Sequence, residues 1–462
     1  MSNFSRFTPI ATALSPNTET DDIFLILKLF LPWNWRKWQN GKEITELEDK
    51  FREYFGIKYA ISFSSGRVGL YAILSVIARS EATKQSLAVD TRNEIASLPT
   101  VARNDNGGTP QPAEVIIQAY TTIALPLAIQ KSGFTPIYVD IREDTFNIDP
   151  DKIEAKITPN TKAIIVQHTF GTPAQMDKIL AICKRHNLFL IEDCAHSFGA
   201  EFGSKKVGVF GDAAFFSFGR DKIISSTNGG IVITNDDELA KKIRDFQNSL
   251  GLPPRKWIFQ QLAHPLVFWC SLPIYYFFNL GKYFIFFSQK IGLISRAYSK
   301  REKAGIMDER FLYKLPNALA ILILNQLEKL KRFNEHRQKI AEIYYNLFHY
   351  DNMNYHSEVK IPEIYPNSKP TFLYYTIQVK NRDELLKFAG EKHIILGDWF
   401  PAALGPKGID PEKFGYKRGD CPIAEKVGLK SINFPTNIKT SAVDAKKVAE
   451  LINSFINKKG GS

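Results

Sequence analysis

Residues 163–235 read AIIVQHTFGTPAQMDKILAICKRHNLFLIEDCAHSFGAEFGSKKVGVFGDAAFFSFGRDKIISSTNGGIVITN. Four short, β-rich apolar runs stand out: AIIVQHTF (163–170), LFLIEDCA (188–195), DAAFFSF (212–218) and GGIVITN (229–235). Between the first two lies a helical pattern, DKILAICKRHN (177–187), with apolar residues at helical spacing. Upstream, EVIIQAY (114–120) and PIYVDI (136–141) repeat the strand pattern. Runs that are apolar on both faces and alternate with helices predict an α/β fold with a mainly parallel sheet covered on both sides. Ligands of such sheets bind at the carboxyl ends of the strands. Chemistry is therefore expected in the loops after Tyr120, Phe170, Asp193 and Phe218.

Further upstream, EITELEDKFREYFG (43–56) has helical spacing and a glycine stop. A strand-like KYAISF (58–63), the turn SSGR (64–67) and the helical VGLYAILSVIA (68–78) follow. Strand, Ser/Gly turn and helix in that order create a helix N-terminus suited to holding a phosphate. From Arg79 to Pro112 the chain is polar, lacks sustained periodicity and ends in turn formers. It reads as an inserted surface segment, with a substrate lid as the alternative. Residues 316–350 are expected to form one long connecting helix, with Leu319, Ile323, Leu327 and Leu330 on a shared face. The organisation expected is a large domain over 1–315, that helix, and a smaller α+β domain over 351–462. The last carries the strand-like FLYYTIQV (372–379) and the helical AVDAKKVAELINSFI (442–456).

The chain has 462 residues, a net charge of +12 and four scattered cysteines without a C-x-x-C pair. The charge favours anionic partners, such as phosphorylated substrates or an anionic membrane surface. It is spread out and no RNA- or DNA-binding module is present, so nucleic acid is not expected. The cysteine pattern argues against zinc and a disulfide framework, and fits a reducing compartment. The first residues lack a signal peptide's pattern, so a cytoplasmic location is expected.

Asp193 stands at a strand end and Lys222 in the loop after a later strand. A lysine amine freed of its proton can form an imine with a carbonyl. A carboxylate facing a pyridine nitrogen keeps that ring protonated, as an electron sink requires. Ser217 offers a phosphate-binding hydroxyl, and Gly229 and Gly230 allow close backbone approach. Order and spacing carry more weight than any one of these residues.

With FSSGRVGL (63–70), EVIIQAYTTIA (114–124), residues 133–176, IEDCAHSFGAEFGSKKVGVFGDAAFFSF (191–218), GGIVITND (229–236) and QLEKLKRFNEHRQKIAEIY (326–344), the sequence resembles the DegT/DnrJ/EryC1/StrS family of sugar aminotransferases. These enzymes depend on pyridoxal 5′-phosphate (PLP). The resemblance implies an aspartate-aminotransferase-like fold and a homodimer. It implies that Lys222 forms the Schiff base and carries protons, and that Asp193 partners the pyridine nitrogen. His196 would lie near the phenolic oxygen. Ser217 and the Ser65–Gly66–Arg67 turn would hold the phosphate. Tyr120 would stack on the pyridine ring, with Ala195 against the other face. His168 has a structural or a functional reading, and Cys194 reads as a buried filler.

The sequence departs from the family at Arg67, where a small hydroxyl residue is usual, and at SFGRDK (217–222). Leu312 and Lys314 occupy the family's Asn and Arg places ahead of the long helix, and ILGDWFPAALGP (395–406) lacks the usual histidines. The activity implied is transfer of an amino group from glutamate or a similar donor to a nucleotide- or lipid-linked keto-sugar. The alternative is a membrane-associated protein of this fold that binds PLP with a different or lost activity.

One stretch stands apart. Residues 257–299 contain no acidic residue, and their cations are Lys282, Lys290 and Arg296. Pro265 and Pro273 interrupt the run, and a single crossing would separate Lys222 from the C-terminal domain, so a membrane span is not expected. The expectation is a helical hairpin dipping into one leaflet. A packing or dimerisation element is the alternative.

Overall fold

A computed structural model describes residues 7–89, 112–349 and 359–460. Seven strands form the central sheet: β1 (Tyr59–Phe63), β2 (Glu114–Gln118), β3 (Thr135–Val139), β4 (Thr161–Gln167), β5 (Phe189–Asp193), β6 (Ala213–Ser217) and β7 (Gly230–Thr234). Their spatial order is β1-β7-β6-β5-β4-β2-β3. Neighbours from β6 through to β3 pair in parallel, whereas β7 runs antiparallel to both β6 and β1. This is the α/β architecture that the alternating pattern predicts.

Alternation along each strand explains why both faces are apolar. Ile116, Ile164 and Leu190 share a core with Met176, Ile179 and Ile182 of the helix Met176–His186. One residue on, Ile117, Ile165 and Ile191 face the opposite layer. That layer includes helices Gly66–Val89 and Ala124–Lys131. A second, antiparallel sheet is built from Val359–Lys360, Tyr374–Val379 and Ser431–Pro435. Its core joins Ile377, Ile432 and Phe434 to Tyr344, Leu385 and Val448 of the surrounding helices.

Two local expectations change. The helix beginning at Gly66 continues to Val89, into the stretch expected to be an insert, because residues 79–89 carry no glycine or proline to stop it. Residues 90–111, the remainder of that stretch up to its last residue, lie outside those described. The connecting helix forms as two, Asn317–Leu327 and Leu330–His349. At the break, Lys329 reaches Asp21 at 2.5 Å and Asp22 at 3.1 Å. Both acids belong to the first turn of an N-terminal helix, Thr20–Phe30, that packs beside it.

The apolar stretch makes a helical hairpin. Its first arm, α1 (Arg255–Ser271), buries Ile258, Leu262 and Val267 against the protein. Its second arm, α2 (Leu280–Lys290), exposes Tyr283, Phe284, Phe286 and Phe287. Among the described residues no helix is long and apolar enough to cross a membrane.

Glu192 fixes the loops around the end of β5. Its carboxylate accepts from the backbone N–H groups of Gly208 and Phe210 at 2.7 Å and of Gly211 at 2.8 Å. His168 Nε2 completes the shell at 3.2 Å, while His168 Nδ1 accepts from Ala174 N at 3.1 Å. That pairing defines the neutral tautomer and a structural role for His168. Glu192→Ala leaves several buried donors unpaired and is expected to cost about 3 kcal/mol or more. Thermal melting of the variant checks this, and an unchanged midpoint contradicts it.

Candidate active site

Chain geometry gathers the expected chemistry at one place. Ser65 follows β1, Asp193 ends β5, Ser217 ends β6 and Lys222 follows in the next loop. Ser65, Gly66, Arg67, Asp193, Ala195, His196, Ser217 and Lys222 all line a single cavity.

Backbone packing shapes its phosphate end. The helix Gly66–Val89 starts at the cavity, and Ser65 Oγ accepts from Val68 N at 3.3 Å. A Cβ on Gly66 would sit 2.9 Å from Ser217 Cβ and 3.0 Å from the Phe216 carbonyl oxygen. Glycine is what lets the helix start approach the end of β6 so closely. The N–H groups of that first turn and the hydroxyls of Ser65 and Ser217 are the groups this end of the cavity offers to an anion.

Burial sets the protonation states. Asp193 is pushed up to about 6 by desolvation, opposed by the Ala195 N–H at 2.9 Å and by the charge of Lys222. Desolvation lowers Lys222 to about 8, with Asp193 and Asp221 pulling the other way. His196 is held well below its ordinary value by burial and by Lys222. It is neutral, and its Nδ1 accepts from Phe170 N at 3.4 Å, so the ring proton sits on Nε2.

Two expected features take different forms. Tyr120 does not line the cavity. Its backbone is left-handed (φ 62°), and its hydroxyl donates to Ser431 Oγ at 2.7 Å. The ring packs edge-on against Phe400, so it supports the wall instead of stacking on a bound ring. Thr122, two residues on, occupies the lining position and hydrogen-bonds the hydroxyl of Tyr298. Arg67 is likewise not a bare charge in the phosphate turn: it is ion-paired with the buried Glu302, and its guanidinium lies 5.0 Å from the Tyr298 ring centroid.

Several lining residues carried no signal in the sequence, among them Tyr374, Trp399, Arg220 and Asp221. Nor did the anchor of the lysine loop. Asn17 donates to the backbone carbonyls of Lys222 and Ile223, the latter at 3.0 Å. Its own Oδ1 accepts from the fully buried Arg337 at 2.6 Å. The spacing, 205 residues for Asn17 to Lys222 and 320 for Asn17 to Arg337, hides that relay from any local pattern.

The donor set fits PLP. An anion cradle, a carboxylate for a pyridine nitrogen and an amine of depressed pKa face one cavity. Gly66→Ala is expected to weaken PLP binding roughly tenfold or more by opening the cradle. Titration of cofactor-stripped protein with PLP checks this, and equal affinity contradicts it.

Comparisons with known proteins agree with this fold. The chain is 28% identical over 421 residues to GDP-perosamine synthase of Caulobacter vibrioides, covering 90% of this chain and 91% of that one. Among solved structures, PseC of Helicobacter pylori, an aminotransferase involved in the biosynthesis of pseudoaminic acid, superposes with a TM-score of 0.68 at 19% identity. It covers 96% of this chain and 98% of its own. The GDP-4-keto-6-deoxy-D-mannose-3-dehydratase of E. coli, solved with bound hydrated PLP, superposes with a TM-score of 0.66 at 18% identity, over 96% of this chain and 98% of its own. The family's sequence profile matches residues 31–263 and 291–453, passing over 264–290 in the apolar hairpin. The chain belongs to the DegT/DnrJ/EryC1/StrS aminotransferase family and is a PLP-dependent sugar aminotransferase.

Proposed function

We propose that this enzyme moves the amino group of glutamate or a similar donor onto a nucleotide- or lipid-linked keto-sugar. The observation that carries the residue assignment is the half-buried Lys222 and the buried Asp193 in one cavity with the Ser65–Gly66 cradle. When bound, PLP supplies the carbonyl that takes up the amino group and a ring that withdraws electrons from the reacting carbon.

Each protein group has a defined task. Lys222 holds the cofactor through Nζ and, when released, acts as the base that takes the proton from the donor's α-carbon. In the second half it returns a proton to the sugar carbon that carried the ketone. Asp193 holds the pyridine nitrogen protonated, and its burial strengthens that contact. Ser65, the backbone of Gly66, and Ser217 bind the phosphate. Arg67 acts through Glu302 and Tyr298, shaping the wall beside the cradle. His196 Nε2–H serves the phenolic oxygen, and Ala195 presents a flat face to the ring. The working unit is a homodimer, as the family resemblance implies.

The pH dependence follows from the two shifted groups. The Lys222 amine is protonated below about pH 8 and free above it, so PLP capture by stripped protein accelerates from pH 7 and levels off above that value. Asp193 takes up a proton below about pH 6, where the cofactor is retained less well. Holoenzyme should show absorbance at the visible/near-UV boundary that glutamate bleaches and that Lys222→Ala lacks. Wild-type protein without bound PLP, or an absorbance that no amino acid bleaches, overturns the reading.

The hairpin suits a peripheral contact with the cytoplasmic face of an anionic membrane. Phe278 and Ile291 are 80% and 74% exposed, and Lys282 and Lys290 are exposed beside them and make no ion pair with a described residue. Aromatic rings flanked by cations, with no acid among them, match the interface between acyl chains and anionic head groups. Burying one such ring is worth about 1.5–3 kcal/mol. The pair Phe284→Asp and Phe287→Asp should therefore reduce sedimentation with phosphatidylglycerol vesicles at least tenfold. Wild-type protein that ignores those vesicles contradicts the membrane contact.

A further inference from the structure

Arg220 and Arg296 line the cavity, and neither makes an ion pair with a described residue. Arg67, by contrast, is neutralised by Glu302. Arg220 lies two positions before Lys222, and burial lowers its pKa to about 10 despite the nearby Asp221. Its Nη2 donates to both the carbonyl and the Oγ of Ser295, each at 2.7 Å. These bonds pin the segment Ser295–Tyr298 to the pocket wall. Arg296, next along, is exposed at the cavity's rim.

The hairpin delivers that segment. Gln261, buried in α1, accepts from Asn228 Nδ2 at 2.7 Å and from Ser295 Oγ at 3.3 Å. Asn228 itself lines the cavity. The inner arm of the hairpin is thus bonded to both sides of the pocket.

We infer that Arg220 and Arg296 form a subsite for the diphosphate of an activated sugar. The inference rests on the aminotransferase reading above, because that reading requires the ketone to lie at Lys222. A guanidinium fork matches phosphoryl oxygens in geometry and charge. One arginine inside the cavity and one at its rim suit an anion that spreads its charge over two phosphoryl groups and continues outward. An amino-acid donor, with its reacting carbon beside its carboxylate, ends inside. A nucleoside and a polyisoprenyl carrier share the diphosphate, so the chemistry is common to both.

Calorimetric titration of the holoenzyme distinguishes them, with UDP, GDP and dTDP as one arm and farnesyl diphosphate as the other. At least one probe should bind, and Arg220→Gln and Arg296→Gln should each weaken it roughly tenfold or more. Arg220→Lys should not restore it, since an ammonium lacks the fork. Lys331→Gln, on the outer face of helix Leu330–His349, is the control for nonspecific charge loss. The cofactor absorbance of each variant reports whether the pocket remains intact, and the exposed Arg296 gives a variant that does not disturb packing. Binding by neither arm, equal binding by wild type and Arg296→Gln, or a defect confined to glutamate bleaching overturns the subsite. Holoenzyme that carries PLP yet binds no diphosphate sinks this inference alone; loss of PLP from wild type sinks the reading beneath it.

Discussion

A half-buried amine facing the same cavity as a buried carboxylate is the constraint on which the rest of this structure depends. Desolvation penalises the charged form of both Lys222 and Asp193. The fold must therefore hold the lysine loop rigidly. Asn17 grips two carbonyls of that loop, and the buried Arg337 grips Asn17. One face of β5 meets a related demand, since Glu192 collects four donors and freezes the turns beside Asp193. Burial tunes the site and a long-range hydrogen-bond network secures it.

The apolar hairpin has two faces with separate consequences. Its inner helix is bonded through Gln261 to Asn228 and Ser295, both attached to the cavity. Its outer helix presents aromatics and cations to the surroundings. A single element thus connects the exposed aromatic face to the cavity wall. The family profile skips 264–290, so the turn and the outer arm of the hairpin lie outside the common pattern.

Much of the fold was legible because strand and helix periodicities are local. The runs at 114–118, 163–167 and 189–193 read as strands since each is apolar on both faces. Reading failed where a distant partner overrode the local pattern. The break at Glu328–Lys329 lies within a stretch of sound helical spacing, and acids of the N-terminal helix hold it. Tyr120 sits at a strand's end as a stacking ring would, but its left-handed backbone turns it toward Ser431.

By itself the sequence determined the order of elements and the family, and it singled out Lys222, Asp193, Ser217 and the Ser65–Gly66 turn, which the structure brings to one cavity. Those features reside in residue type, periodicity and spacing along one chain. Only the tertiary structure decided that Thr122 takes the lining place, that Arg67 is neutralised by Glu302, and that Arg220 and Arg296 meet at one cavity. Charge compensation and the direction of a side chain depend on groups scores of residues away. No local pattern encodes which carboxylate a buried arginine will find.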